Sequence, residues 1–266
     1  MTERIRNSVT GAPVWIPRAS RSISAPTTFD RENPITVLKR YELKYILTRE
    51  QTSFLREKLM GRVLVDQFGK TTIASLYYDT PDARLIRASL EKPAFKEKIR
   101  LRSYGPADEK TPVYLELKRK AHKIVYKRRI RTTLTQAGRF FDRTDDLESE
   151  GQIGRELAVF RDFYGTLRPS CLIASDRTAF FEPGGDLRLT VDENPRWRDE
   201  ELRLDRGTEG TPLLPEGYTI LEIKVQEALP LWLSSALCEG KIYQGSFSKY
   251  GEAYRQRLLN VNPKER

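Results

Sequence analysis

The chain is poor in the residues that most often carry covalent or metal chemistry. Its 266 residues include two cysteines and one histidine. Cys171 and Cys238 stand far apart with no CxxC spacing. That argues against a disulfide framework or a zinc cluster and fits a reduced, cytosolic setting. The one histidine, His122, falls in the turn-like stretch RKAHKIV between two basic strands. A Ser/His/Asp arrangement would rest on that residue alone, and it reads as an exposed loop histidine. HExxH, GxxxxGK(S/T) and GxGxxG are absent, so the zincin, P-loop and Rossmann signatures lack support. No apolar run approaches about 18 residues, so no transmembrane helix is expected. The N-terminus shows no signal-peptide core.

Charge is what the chain has in quantity. Charged residues make up 32% of it, with a formal net charge of +10. That excess implies an anionic partner: nucleic acid, acidic lipid or a phosphorylated small molecule. Hydrophobic residues, at 38%, suffice for one large domain or two small ones.

Residues 1–34 are rich in Ser, Thr, Pro and Arg without periodicity and read as a disordered leader. An ordered domain is expected over 35–260, followed by a short tail, 261–266. Its first strand lies in ITVLKRYELKYIL, and Thr48 with Gln51 forms a capping-box start for a helix that Gly61 ends. TTIASLYYDT is a strand, and Pro81 opens a short helix. FKEKIRLRSY, VYLELKRK and KIVYKRRIRTTL follow as strands. Residues 134–145 and 150–164 read as helices, the second with Ile153, Leu157 and Phe160 at helical spacing. SCLIASDRTAFF, LRLTVDE and YTILEIKV return to strand character, with a charged loop and added strand over 196–214. LPLWLSSALC and KYGEAYRQRLL are closing helices. The short connections make the pairing antiparallel. The expectation is one α+β domain of about eight strands closed into a barrel, with five or six helices.

Side chains alternate faces along a strand. Lys98, Arg100 and Arg102 therefore oppose Ile99 and Leu101. Glu42 and Lys44 oppose Leu43 and Tyr45, and Glu116 and Lys118 oppose Leu115 and Leu117. Arg188, Thr190 and Asp192 oppose Leu187, Leu189 and Val191, while Glu222 and Lys224 oppose Leu221, Ile223 and Val225. Lys127 and Arg129 share a face of their strand. Periodicity leaves two arrangements open. In a β-sandwich the charged faces would be solvated. In an inverted barrel the amphipathic helices would cover apolar outer faces, and the charges would line an interior holding water and an anionic ligand.

YELKY, SLYYDT, KIRLRSY, YLELKRK, VYKRR, DRTAF, LRLTVDE, LEIKV and FSKYGEAY, in that order, resemble the VTC domain. This is the polyphosphate-polymerase domain of the vacuolar transporter chaperone complex and its bacterial relatives, in the triphosphate tunnel metalloenzyme or CYTH-like superfamily. The resemblance covers about residues 35–257. It implies an eight-stranded antiparallel β-barrel tunnel with a basic lumen, helices packed outside, and a divalent cation, Mn²⁺ or Mg²⁺, held by carboxylate.

Carried over motif by motif, the resemblance assigns phosphate chemistry to Lys44, Arg100, Arg102, Lys118, Arg177 and Lys249. It assigns substrate contacts to Lys127, Arg129 and Arg188, and Lys98 and Lys224 join them by sharing the charged faces. Glu222 matches the metal ligand, with Glu116, Glu42 and Asp192 as further candidates whose plainer role is to pair with the cations. The lysine that can precede FSK in this family is here Ser246, which weakens one end of the phosphate path. The implied activity is transfer of the ATP γ-phosphate to a growing polyphosphate chain. The alternatives are a metal-dependent tripolyphosphatase or nucleoside triphosphatase of the same fold, and a non-catalytic polyphosphate-binding module. The implied partners are ATP, triphosphate or polyphosphate, in the cytoplasm or at the inner face of a membrane through a membrane-protein partner. Nucleic acid is disfavoured, because the cations alternate with apolar residues on strands instead of forming one exposed patch.

Overall fold

A computed structural model describes residues 41–91, 93–121 and 124–261. The leader over 1–34, the start of the first strand before Tyr41, the His122 turn and the tail beyond Val261 lie outside the described residues.

Ten strands and six α-helices follow in chain order: β1 (Tyr41–Leu47), α1 (Arg49–Leu59), β2 (Leu64–Asp79), α2 (Arg84–Leu90), β3 (Phe95–Tyr104), β4 (Val113–Ala121), β5 (Ile124–Thr132), α3 (Leu134–Phe141), α4 (Gly151–Tyr164), β6 (Arg168–Phe181), β7 (Arg188–Arg198), β8 (Thr211–Pro212), β9 (Thr219–Val225), α5 (Leu231–Glu239), β10 (Gln244–Gly245) and α6 (Lys249–Val261). The helix starts are local chemistry. Thr48 and Gln51 cap each other's backbone at α1, and Thr133 and Gln136 do the same at α3. The helix expected to open at Pro81 begins later, because Ala83 takes a left-handed conformation just before Arg84. The irregularity in β2 between Val65 and Lys70 contains Gly69 at φ +59°, a backbone that side chains resist.

The strands form one antiparallel sheet in the order β10-β1-β9-β7-β6-β2-β3-β4-β5, with β8 on β7. The α+β class and the antiparallel pairing agree with the sequence. The closed eight-stranded barrel does not. The sheet has ten strands and is open, with no backbone pairing between β5 and β1 or β10 among the described residues. It is nevertheless strongly curled, since Glu42 on β1 meets Lys118 on β4 at 3.5 Å.

The apolar faces look outward. Leu115, Leu117, Ile99 and Leu172 pack with Phe140 of α3 and with Leu157 and Phe160 of α4. Tyr45, Leu189, Leu221 and Ile223 pack with Leu55 and Leu59 of α1 and Leu233 and Leu237 of α5. Burying each such side chain is worth about 1.5–3 kcal/mol, so the helices hold the charged faces turned into the concavity. One helix departs from the expected outside position. α6 packs on the concave side, where Tyr250 and Ala253 join Tyr77, Cys171, Ile173 and Trp197. Tyr250 stacks on Tyr77 with ring centroids 4.4 Å apart, and the Trp197 indole donates to Gln256.

Candidate functional site: a charged concave face

Directly paired residues of adjacent antiparallel strands share a face. Register therefore arranges the cations in rows. Lys98, Lys118 and Lys127 lie side by side across β3, β4 and β5, as do Arg100, Glu116 and Arg129, and then Arg102, Tyr114 and Arg131. On the other half Lys44 pairs with Glu222, Glu42 with Lys224, Lys224 with Arg188, and Asp192 with Arg177. All the positions singled out in the sequence fall on this face, joined by Lys249 at the start of α6.

Glu116 is the hub of the β3–β5 half. It is 1% exposed and meets Arg100 at 2.7 Å, Lys127 at 2.7 Å, Arg129 at 3.4 Å and Arg102 at 3.9 Å. Burial alone would raise its pKa, but Arg100, Arg102 and Lys127 together hold it well below the usual carboxylate range. Burial draws Lys127 down to about 8 despite Glu116. Lys98 is likewise drawn to about 8, by burial first; Tyr77 opposes that, while Lys96, Lys118 and Lys44 add to it. Tyr77 accepts a hydrogen bond from Arg100 at 3.0 Å. Burial opposes its ionisation, yet Arg100, Lys98 and Arg102 bring it to about 8.

On the other half Asp192, 1% exposed, takes a two-pronged contact from Arg177 at 2.6 and 2.7 Å and an ion pair from Lys249. Against the cost of burial, Lys249 and Arg177 keep it ionised far below the ordinary range. Glu222 pairs with Lys224 and lies 3.9 Å from Lys44; these cations overcome burial and bring its pKa to about 2. Glu42 lies 3.3 Å from Lys44 and 3.5 Å from Lys118. Arg188 sits over the Phe181 ring at 5.5 Å.

The metal candidates do not form one cluster. Among the described residues no three His, Cys, Asp or Glu side chains gather as a metal group. Glu116 is enclosed by cations and has no room for another. Glu42 and Glu222 share Lys44 and repel each other electrostatically. One or two carboxylates, completed by phosphate oxygens and water, suit Mg²⁺ or Mn²⁺, so this donor pair fits such an ion. Sequence reasoning missed aromatic members of the face, among them Tyr77, Tyr104, Tyr114 and Phe181. For Tyr104 the signal was present, since it continues the Arg100–Arg102 alternation. A cavity of about 530 Å³ lined by Trp197, Arg198, Asp199 and Arg257 shares none of the charged-face residues. Its arginines are engaged, Arg198 by backbone carbonyls and Arg257 by Asp199 at 3.3 Å.

A curled antiparallel sheet that turns a cation-rich face into its own concavity and covers its apolar face with helices has the architecture of the triphosphate tunnel, or CYTH-like, class. The chain belongs to the VTC domain family, whose model matches residues 39–258. Among solved structures it is similar to a candidate adenylate cyclase from Bacillus halodurans (14% identity, 79% of this chain and 95% of that one, TM-score 0.50). It is also similar to one from Vibrio parahaemolyticus (14% identity, 84% and 99%, TM-score 0.44). A candidate adenylyl cyclase from Hippeastrum, described as having a dominant triphosphatase activity, is 17% identical over 83% of this chain and 98% of that one, with a TM-score of 0.45. The Bacillus halodurans likeness shows a shared fold. No curated protein matches the chain.

Proposed function

We propose that this protein is a metal-dependent phosphotransferase that binds ATP through its triphosphate on the concave face and passes the γ-phosphate to a growing polyphosphate chain. The observation that carries this reading is the charge imbalance of that face. Four carboxylates, Glu42, Glu116, Asp192 and Glu222, are each shared between two or more cations, and Lys98 and Arg188 have no carboxylate partner among the described residues. A polyanion of about four charges answers that surplus, through charge-assisted bonds that Arg makes as a planar fork. In a concavity shielded from water those contacts exceed their surface strength.

Phosphoryl transfer asks chiefly for positioning and charge stabilisation, which suits a face whose described residues offer no histidine or cysteine nucleophile. Arg100 and Arg102 would bind the transferring phosphate with Arg177 and Lys249 opposite. Lys44 and Lys118 would hold its neighbours. A divalent Mg²⁺ or Mn²⁺, taken by Glu222 and Glu42 together with phosphate oxygens, would supply neutralisation of the charge that develops on transfer. No helix among the described residues is long and apolar enough to cross a membrane; a membrane-protein partner would bring this activity to a membrane face.

A second reading, tripolyphosphate hydrolysis, rests on Ser246. The lysine missing there thins the phosphate path beside Lys249, which favours a short substrate with water as acceptor. The deciding experiment incubates the protein with ATP and Mn²⁺ and resolves the products by length. A ladder supports polymerisation, and orthophosphate alone supports hydrolysis. Tripolyphosphate binding without turnover would make the protein a binding module. No binding at all would overturn every form of the reading.

A further inference from the structure

We propose that Tyr104 and Tyr114 form a nucleobase platform at the rim of the charged face. Its triphosphate would then be taken as part of a nucleoside triphosphate, with little preference among bases. The inference rests on the triphosphate reading and goes beyond it, because inorganic tripolyphosphate has nothing to place there.

Tyr104 ends β3 on the same face as Arg100 and Arg102, and Tyr114 is the cross-strand partner of Arg102. The two rings meet edge to face with centroids 5.6 Å apart. Arg129 fixes the pair. Its guanidinium lies 3.6 Å from the Tyr114 centroid and donates to the Tyr104 hydroxyl at 3.2 Å, while its Nε faces Glu116 at 3.4 Å. One side chain thus ties the aromatic pair to the hub of the phosphate-binding half.

Arg129 lies tight against the Tyr114 ring at 3.6 Å and stands off the Tyr104 centroid at 5.4 Å, and Tyr104 is 42% exposed. The other tyrosines of the face cannot receive a base, because Tyr77 and Tyr250 are buried against each other. Phe181 lies under Arg188 at the Lys224 end. Strand rise of about 3.3 Å per residue places Tyr104 about 7 Å beyond Arg102 and about 13 Å beyond Arg100. That span is comparable with the distance from terminal phosphate to base in an extended nucleoside triphosphate. Stacking on an aromatic ring beside an arginine tolerates any base, since each has a π face.

Calorimetric titration with ATP and with inorganic tripolyphosphate, both with Mg²⁺, tests this on the full chain. Tyr104→Ala is expected to weaken ATP roughly tenfold, the scale of one lost stacking contact, and to leave tripolyphosphate within about twofold. Tyr104→Phe keeps the ring, loses only the hydroxyl contact to Arg129, and is expected to retain ATP affinity. Equal losses for both ligands in Tyr104→Ala would mean that Tyr104 acts through Arg129 and would overturn the proposal. So would unchanged ATP affinity, or an ATP-specific loss in Phe181→Ala instead. A wild-type protein that binds tripolyphosphate but not ATP overturns this inference and transfer from ATP, and spares triphosphate binding and tripolyphosphate hydrolysis on the charged face. One that binds neither overturns both.

Discussion

Glu42 Oε2 lies 3.5 Å from Lys118 Nζ, joining β1 to β4, strands well separated in the hydrogen-bonded order of the sheet. The contact bridges the concavity with side chains where, among the described residues, no backbone pairing joins the two ends of the sheet. Burial and Glu222 both oppose ionisation of Glu42, but Lys118, Lys44 and Lys224 outweigh them. Both partners are about a third or more exposed, so Glu42→Gln should cost no more than about 1 kcal/mol, a fall of about 2–4 °C in Tm for a domain this size. With Lys44 and Lys118 released, metal-free tripolyphosphate should bind more tightly by calorimetry. A large loss of Tm would show that the pair holds the curl.

Glu116 should be the most sensitive position on the face. Glu116→Gln leaves Arg100, Lys127 and Arg129 crowded without their shared anion. Breaking a buried ion pair on one side costs about 3–5 kcal/mol. Urea unfolding should show a loss of that order. Added tripolyphosphate should raise the Tm of the variant more than that of the wild type, because the ligand restores the missing charge. Equal shifts would mean that the ligand sits elsewhere.

Acid should unfold the protein through Asp192 and Glu116. Both carboxyls lie below their ordinary values of 3.8 and 4.5 in the folded state. The stability each contributes is complete above those values and is lost as pH falls below them. A Tm profile should decline below about pH 4, the region set by those ordinary values. Asp192→Asn should be less stable at pH 7 and decline less steeply in acid.

Lys98 and Lys127, each near 8, should give triphosphate binding an alkaline limit. Their protonated forms attract the anion, so affinity is full below about pH 7 and falls as pH rises past 8. Binding at pH 8 should take up protons, read as a dependence of calorimetric heat on buffer ionisation enthalpy. Lys98→Met should reduce that uptake.

Glu222→Gln keeps size and removes the charge that a hard cation needs. Metal-dependent turnover should fall at least roughly a hundredfold, the scale of about 2.7 kcal/mol in the transition state. Metal-free triphosphate binding should persist or tighten. Full activity with weakened anion binding would mean that Glu222 only orients Lys44 and Lys224.

Much of this was legible in the chain itself. A two-residue period is local, so Lys98, Arg100 and Arg102 had to share a face whatever the fold. Thr48 with Gln51 had to cap a helix, because both partners lie within one turn. Nine short motifs in order pointed to the family that the match over residues 39–258 establishes. The tertiary structure decided the rest. Whether Glu42 reaches Lys118 depends on the summed curl of many strands, and no local pattern encodes that sum. The same holds for the open seam in place of a closed barrel, and for α6 inside the concavity, where Tyr250 found its partner in Tyr77, far away in sequence. Which carboxylates are ringed by arginines was also beyond periodicity. Glu116 and Glu222 look alike in YLELK and LEIKV, and only the strands paired beside them gave one a ring of four cations and the other two lysines.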